Sequence, residues 1–158
     1  MPRVQSETTV ELNIKKAFAL SQTYGEVRYM WDPFVKEQHL LDGANTAAKG
    51  VKTITKSKHG LTMISEYITF KAPTHVGMRM IKGPKFFSSF SGGWNFTEVS
   101  ENETKVVWRY NFVSRPKFLS NITDAIGIKI LQRDIDQRLE AYANACKNQE
   151  IIDKLHID

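Results

Sequence analysis

The sequence predicts an α+β fold in which a curved antiparallel sheet of six to seven strands wraps around one long C-terminal helix. Three observations carry this. Residues 35–114 alternate apolar and polar with a period of two and are interrupted at short intervals by turn residues. Residues 117–150 form the one long stretch with helical periodicity. Two short helical segments separate the first strand from the alternating run.

In chain order, residues 4–12 read as a strand carrying Val4, Val10 and Leu12 among Thr, Ser and Glu. Asn13 can cap a helix over 15–24, whose apolar points are Ala17, Phe18 and Leu20. A second helical turn runs from Glu26 to Trp31 and ends at Asp32-Pro33, because the residue before a proline avoids the helical region. The strands that follow are 35–41, 50–58, 61–71, 74–82, 86–99 and 104–114. Breaks at Asp42-Gly43, His59-Gly60, Ala72-Pro73, Gly83-Pro84 and 100–103 are too short for crossovers, so successive strands are antiparallel neighbours. Gly92-Gly93, mid-strand, marks a bulge or a sharp bend.

Alternation assigns an inward row to each strand. The even positions give Ile64, Ile68 and Phe70, with Glu66 among them, then Val76, Met78 and Met80. They continue as Phe86, Phe90, Trp94 and Phe96, and as Val106, Trp108, Tyr110 and Phe112. A sheet face this apolar must be buried, and only 117–150 is long enough to cover it. That segment carries two stripes. Leu131, Ile135, Leu139, Tyr142 and Cys146, with Ile128, form one; Phe118, Leu119, Ile122, Ile126 and Ile130 form another, rotated by about half a turn. One straight helix cannot bury both. Either the helix breaks near Gly127, the favoured reading because glycine weakens helix interiors, or the first stripe faces outward at the end of the domain. Both versions make 117–127 the looser half and a possible gate.

Composition narrows the function classes. The chain of 158 residues fits one domain with one sizeable core. Its single cysteine excludes an internal disulfide and points to a reducing, cytoplasmic setting, as does a start without a secretory h-region. No segment approaches the roughly 20 apolar residues of a membrane span. The net charge of +5 arises partly from Lys49, Lys52, Lys56, Lys58, Arg115 and Lys117. These read as a solvated strand face and loop rim rather than a nucleic-acid surface, with weak contact to anionic lipid heads as an intermediate reading.

The order strand, two short helices, antiparallel run, long helix resembles the START-like helix-grip superfamily, and within it the bacterial polyketide cyclase/dehydrase-type branch. The resemblance covers about residues 4–145 and rests on four local matches. Ala17-Phe-Ala-Leu20 followed by Tyr29-Met-Trp-Asp-Pro-Phe34 is similar to the family's first helix and its Trp-Asp-Pro turn. Glu66-Tyr-Ile-Thr-Phe70 before Pro73, Phe90-Ser-Gly-Gly-Trp-Asn-Phe96, and Thr104–Phe112 resemble three of its strands. The resemblance implies a deep cavity between sheet and helix that takes lipids, sterols or polyketides; some members are cyclases, others only bind or carry.

The candidate ligand-binding residues are therefore Ile64, Ile68, Phe70, Met78, Met80, Phe90, Trp94, Trp108, Tyr110 and Phe112, with Ile122 and Ile126 at the loose end. Glu66, a carboxylate on an apolar row, is a candidate general acid/base if desolvated and a structural residue if it lies near the sheet's end. Arg79 could pair with it only through a bulge that turns it inward. Tyr110 could orient a ligand carbonyl, and His39 could join it. The four histidines are scattered and no phosphate-cradling motif exists, so neither a metal nor a cofactor is expected. Cys146 reads as a small hydrophobe. Binding or carriage of an apolar molecule is the leading function, a cyclase or dehydratase using Glu66 the alternative, and a protein–protein adaptor using Phe118, Leu119, Ile122 and Ile126 a third.

Overall fold

A computed structural model describes residues 1–157. The strands are β1 (Arg3–Val10), β2 (Val35–Leu40), β3 (Lys52–Ser57), β4 (Thr62–Lys71), β5 (His75–Lys82), β6 (Phe87–Ser100) and β7 (Glu103–Ser114). The helices are α1 (Ile14–Ser21), α2 (Glu26–Trp31), α3 (Ser120–Ala145) and α4 (Gln149–Ile152). A 3-10 turn, Lys117–Leu119, leads into α3. All strands belong to one antiparallel sheet in the order β1-β7-β6-β5-β4-β3-β2. The α1–α2 connection thus sends the first strand to pair with the last, while every other strand pairs with its chain neighbour.

Local chemistry sets the boundaries. Asn13 accepts a hydrogen bond from the Lys16 amide at 2.9 Å and so starts α1. Gly25, at φ 60°, starts α2 with a backbone angle that disfavours other residues. The side chain of Asp32 accepts the Phe34 amide at 3.0 Å, turning the chain out of α2 into β2. Gly92 and Gly93 pair in regular register with Tyr110 and Arg109, so they mark no bulge. A Cβ at Gly92 would lie 2.8 Å from the Arg109 carbonyl oxygen, which only glycine avoids.

The core fills one end of the molecule. Phe18 meets Phe70 and Phe96 edge-on, and Trp94 stacks on Trp108 with ring centres 3.9 Å apart. Ile135, Leu139 and Tyr142 of α3, with Cys146 at its C-terminal cap, close over them, as their spacing predicts. The Tyr142 hydroxyl donates to the Ala17 carbonyl at 2.6 Å and ties α3 to α1. Ile151 and Ile152 of α4 add to this end and were not anticipated.

Two expectations change. The helix does not break at Gly127: α3 is continuous, and the first stripe faces outward instead. Gly127 serves close approach rather than a hinge, since a Cβ there would come within 2.8 Å of the buried Phe112 ring. Ile128, expected on the buried stripe, is exposed. In β4 the inward row is odd, not even, up to a register shift between Tyr67 and Thr69. The shift flips the parity, so Phe70 points inward as expected, whereas Ile64, Glu66 and Ile68 do not face the interior.

Candidate functional site

The other end of the sheet is not filled. There the sheet curves away from α3 and leaves a cavity of about 480 Å³, within the range of small-molecule sites. Its walls are mainly apolar: Met63, Met78 and Met80 from β4 and β5, Phe87, Phe90 and Trp94 from β6, Trp108 from β7, and Leu131 from α3. The lining residues that also reach the surface are His59, Leu61, Arg79, Phe86, Ile130, Arg133 and Gln137, which places the mouth between the β3–β4 connection, β5 with the connection that follows it, and α3.

Two polar groups interrupt the apolar wall. The first is built on Asp32, whose side chain is wholly buried. Its carboxylate accepts from Arg28 Nε at 2.8 Å and from Arg138 Nε and Nη2 at 3.1 and 2.8 Å. Arg138 Nη1 donates to the Tyr110 hydroxyl at 2.6 Å, and Tyr110 in turn donates to Asp134 at 3.4 Å. Both guanidinium groups lie over aromatic faces, Arg28 4.4 Å from the centre of Trp31 and Arg138 4.4 Å from that of Trp108. Burial alone would raise the Asp32 pKa, but the two arginines outweigh it and hold the carboxyl far below its usual range. Burial raises Asp134 more than Arg138 lowers it, so this acid titrates above an ordinary aspartate. Burial also lifts Tyr110 well above an ordinary phenol despite Arg138.

The second group joins Tyr24, Tyr67 and Gln22. The two tyrosine hydroxyls hydrogen-bond each other, and Tyr67 donates to Gln22 Oε1 at 2.8 Å. Burial pushes Tyr67 up to about 12, so at neutral pH these hydroxyls are intact donors and acceptors. Gln38 lines the same cavity with a buried Oε1 that has no hydrogen-bond partner among the described residues.

Of the residues singled out from sequence, Met78, Met80, Phe90, Trp94, Trp108 and Tyr110 line the cavity. Phe70 lies in the packed core beside Phe18 and Tyr67, and Phe112 is buried under Gly127. Ile64 and Ile68 are not in the lining, and Ile122 and Ile126 are surface residues. Glu66 also lies outside the lining; it pairs at 3.4 Å with Arg79, which is largely exposed and also borders the cavity between Met78 and Met80. His39 is exposed next to Glu37. Cys146, its thiol pushed up to about 12 by burial, is a packing residue and no thiolate at neutral pH. Among the described residues no cluster of three or more His, Cys, Asp or Glu could hold a metal ion.

Arg28, Asp32, Asp134 and Arg138 were not singled out, although two signals existed. Arg138 stands one helical turn from both Ile135 and Tyr142 and next to Leu139, a charge at the edge of an otherwise apolar face. Arg28 and Asp32 stand four residues apart on a turn flanked by Trp31 and Phe34.

No curated protein sequence matches this chain significantly. Solved structures match throughout its length. The aromatase/cyclase Zhui from Streptomyces sp. R1128 superposes with a TM-score of 0.77 at 14% identity, covering 94% of each chain. XoxI from Bacillus cereus gives 0.76 at 14% identity over 95% of this chain and 99% of that one. A START superfamily protein from Mycobacterium smegmatis gives 0.74 at 9% identity over 93% and 98%. At such identities these likenesses speak to the fold, which is the helix-grip fold. The sequence profile of the polyketide cyclase/dehydrase and lipid transport family matches residues 1–147, and the chain belongs to that family.

Proposed function

We propose that the protein binds an apolar small molecule between sheet and α3, with an oxygen-bearing end of the molecule directed at the Arg138–Tyr110 and Tyr24–Tyr67 groups. The observation that supports this best is the cavity itself: aromatic and methionine walls around a volume of about 480 Å³, interrupted by fixed hydrogen-bonding groups. Methionine walls suit a ligand of irregular outline. The test is a titration with 1-anilinonaphthalene-8-sulfonate, whose fluorescence reports apolar surroundings. Met78→Trp, which fills the cavity, is expected to weaken binding by about tenfold or more, roughly 1.4 kcal/mol, with an unchanged circular dichroism spectrum. Equal affinity in the filled variant overturns the reading.

A cyclase or dehydratase activity on a polyketide-like substrate is a second reading, and one feature favours it. Asp134, with its raised pKa, and the Tyr110 hydroxyl face the same cavity, so a proton donor or acceptor stands beside a group that can orient a carbonyl. On this reading the acid/base is Asp134 rather than Glu66, which lies outside the lining. Asp134→Asn then removes turnover of a bound polyketide-like substrate while leaving its binding; undiminished turnover removes the reading.

A further inference from the structure

The outward-facing half of α3 is more apolar than a solvated helix face should be. Phe118 is 86% exposed, Ile122 60%, Ile126 53% and Ile130 62%. Phe86, 49% exposed, stands on the neighbouring β5–β6 connection. The two segments form one surface: the Arg115 amide donates to the Phe86 carbonyl at 2.8 Å, and Ser114 binds Thr123 and Asp124 of α3. A patch of this kind marks an interaction site.

Its charge states the partner's sign. The segments 81–87 and 114–133 hold six basic residues, Lys82, Lys85, Arg115, Lys117, Lys129 and Arg133, against one acid, Asp124. Asp124 is already engaged by the Ser114 amide and hydroxyl. Acids return only from Asp134 onward, at Asp136 and Glu140. Lys129 and Arg133 lie within about 20° of Ile122 around the helix, so cations flank the apolar stripe directly. A second copy docked face to face would set this cationic rim against itself, which disfavours a symmetric dimer.

We propose that this end of the molecule docks on an anionic membrane surface, the stripe entering the interfacial lipid and the basic rim meeting the headgroups. The arrangement is that of an interfacial helix, large apolar side chains flanked by Lys and Arg. The cavity decides between a bilayer and an acidic protein. Phe86, Ile130 and Arg133 belong both to the patch and to the cavity lining, so the mouth opens inside the docking face. An apolar ligand could then pass between bilayer and cavity without crossing water, which an acidic protein partner would not provide. This last step rests on the ligand-binding reading; the docking itself does not.

The experiment is flotation of the full chain with vesicles of phosphatidylcholine alone and of phosphatidylcholine containing ~30% phosphatidylglycerol. The expected result is binding to the anionic vesicles only, weakening as salt is added. The double variant Lys117→Glu/Lys129→Glu is expected to lower the partition coefficient by at least about fivefold per site, the worth of one cation near the surface. Phe118→Ser/Ile122→Ser, at exposed positions, is expected to lower it as well. Absence of binding, equal binding to both vesicle types, or unchanged binding in both double variants overturns the proposal; so does capture by a soluble acidic protein without vesicle binding. The naphthalene-probe titration is expected to be the same in wild type and both double variants, so failure of docking and failure of ligand binding are read separately.

Discussion

The two halves of α3 use one continuous helix for opposite purposes. From Ile135 to Cys146 it presents side chains that the sheet and α1 enclose, and its polar contacts are internal: Arg138 to Asp32, Tyr142 to Ala17. From Ser120 to Asp134 it presents isoleucines to solvent and roofs a cavity. The difference lies in what faces the helix. Opposite the second half, Trp94, Phe96 and Trp108 fill the space; opposite the first, β7 stays in contact at Phe112 and Ser114, while the space between α3 and the strands from β3 to β6 stays open. A helix can thus be anchored at one end and leave a ligand space at the other, without a hinge.

The comparison breaks most severely at the anchor. Asp32→Asn leaves Arg28 and Arg138 buried without their counterion and is expected to cost about 3–5 kcal/mol in urea unfolding. The same residue sets an acid limit. Its pKa is depressed on folding, so its stabilisation is present above the unfolded value of about 3.9 and is lost as pH falls toward the folded one. Wild-type stability should therefore fall more steeply than that of Asp32→Asn as pH drops below about 4. Parallel profiles would mean that folding does not depress the Asp32 pKa.

Smaller effects sharpen the contrast. Tyr142→Phe removes the donor to the Ala17 carbonyl in a closed core and is expected to cost about 1–2 kcal/mol. Gly127→Ala tests two opposed forces. Helix propensity favours alanine by about 1 kcal/mol, but the added Cβ meets the buried Phe112 ring. The clash is expected to win, giving a net loss that Phe112→Leu partly restores in the double variant; a stabilised Gly127→Ala would mean that the helix can lift from the sheet. Ile126→Ser, on the open half, is expected to change stability by less than about 0.5 kcal/mol. Amide exchange should follow the same gradient, faster over 117–127 than over 131–146. Uniform protection would show that the exposed stripe is held as firmly as the anchor.

Much of this was legible along the chain. Period-two alternation with short turns dictates an antiparallel sheet, because connections of a few residues cannot cross over. Helical phase divides 117–150 into two stripes, and the structure keeps both. The inward rows of β6 and β7 were readable because large aromatics repeat there over most of each strand's length. The row of β4 was not, since a bulge costs one residue of parity and leaves no mark in the alternation of so short a segment. That single residue moved Glu66 out of the interior.

What the sequence determined by itself is the set of elements, their antiparallel neighbours and the face of α3 that anchors the fold, because period and turn chemistry are local properties. Only the tertiary structure decided which polar groups reach the cavity. Asp32 and Arg138 lie 106 positions apart, and their charges become one site only when α2 and α3 meet. The fate of Gly127 was decided there too. Whether a glycine breaks a helix or lets it approach depends on what stands opposite, and here that is Phe112.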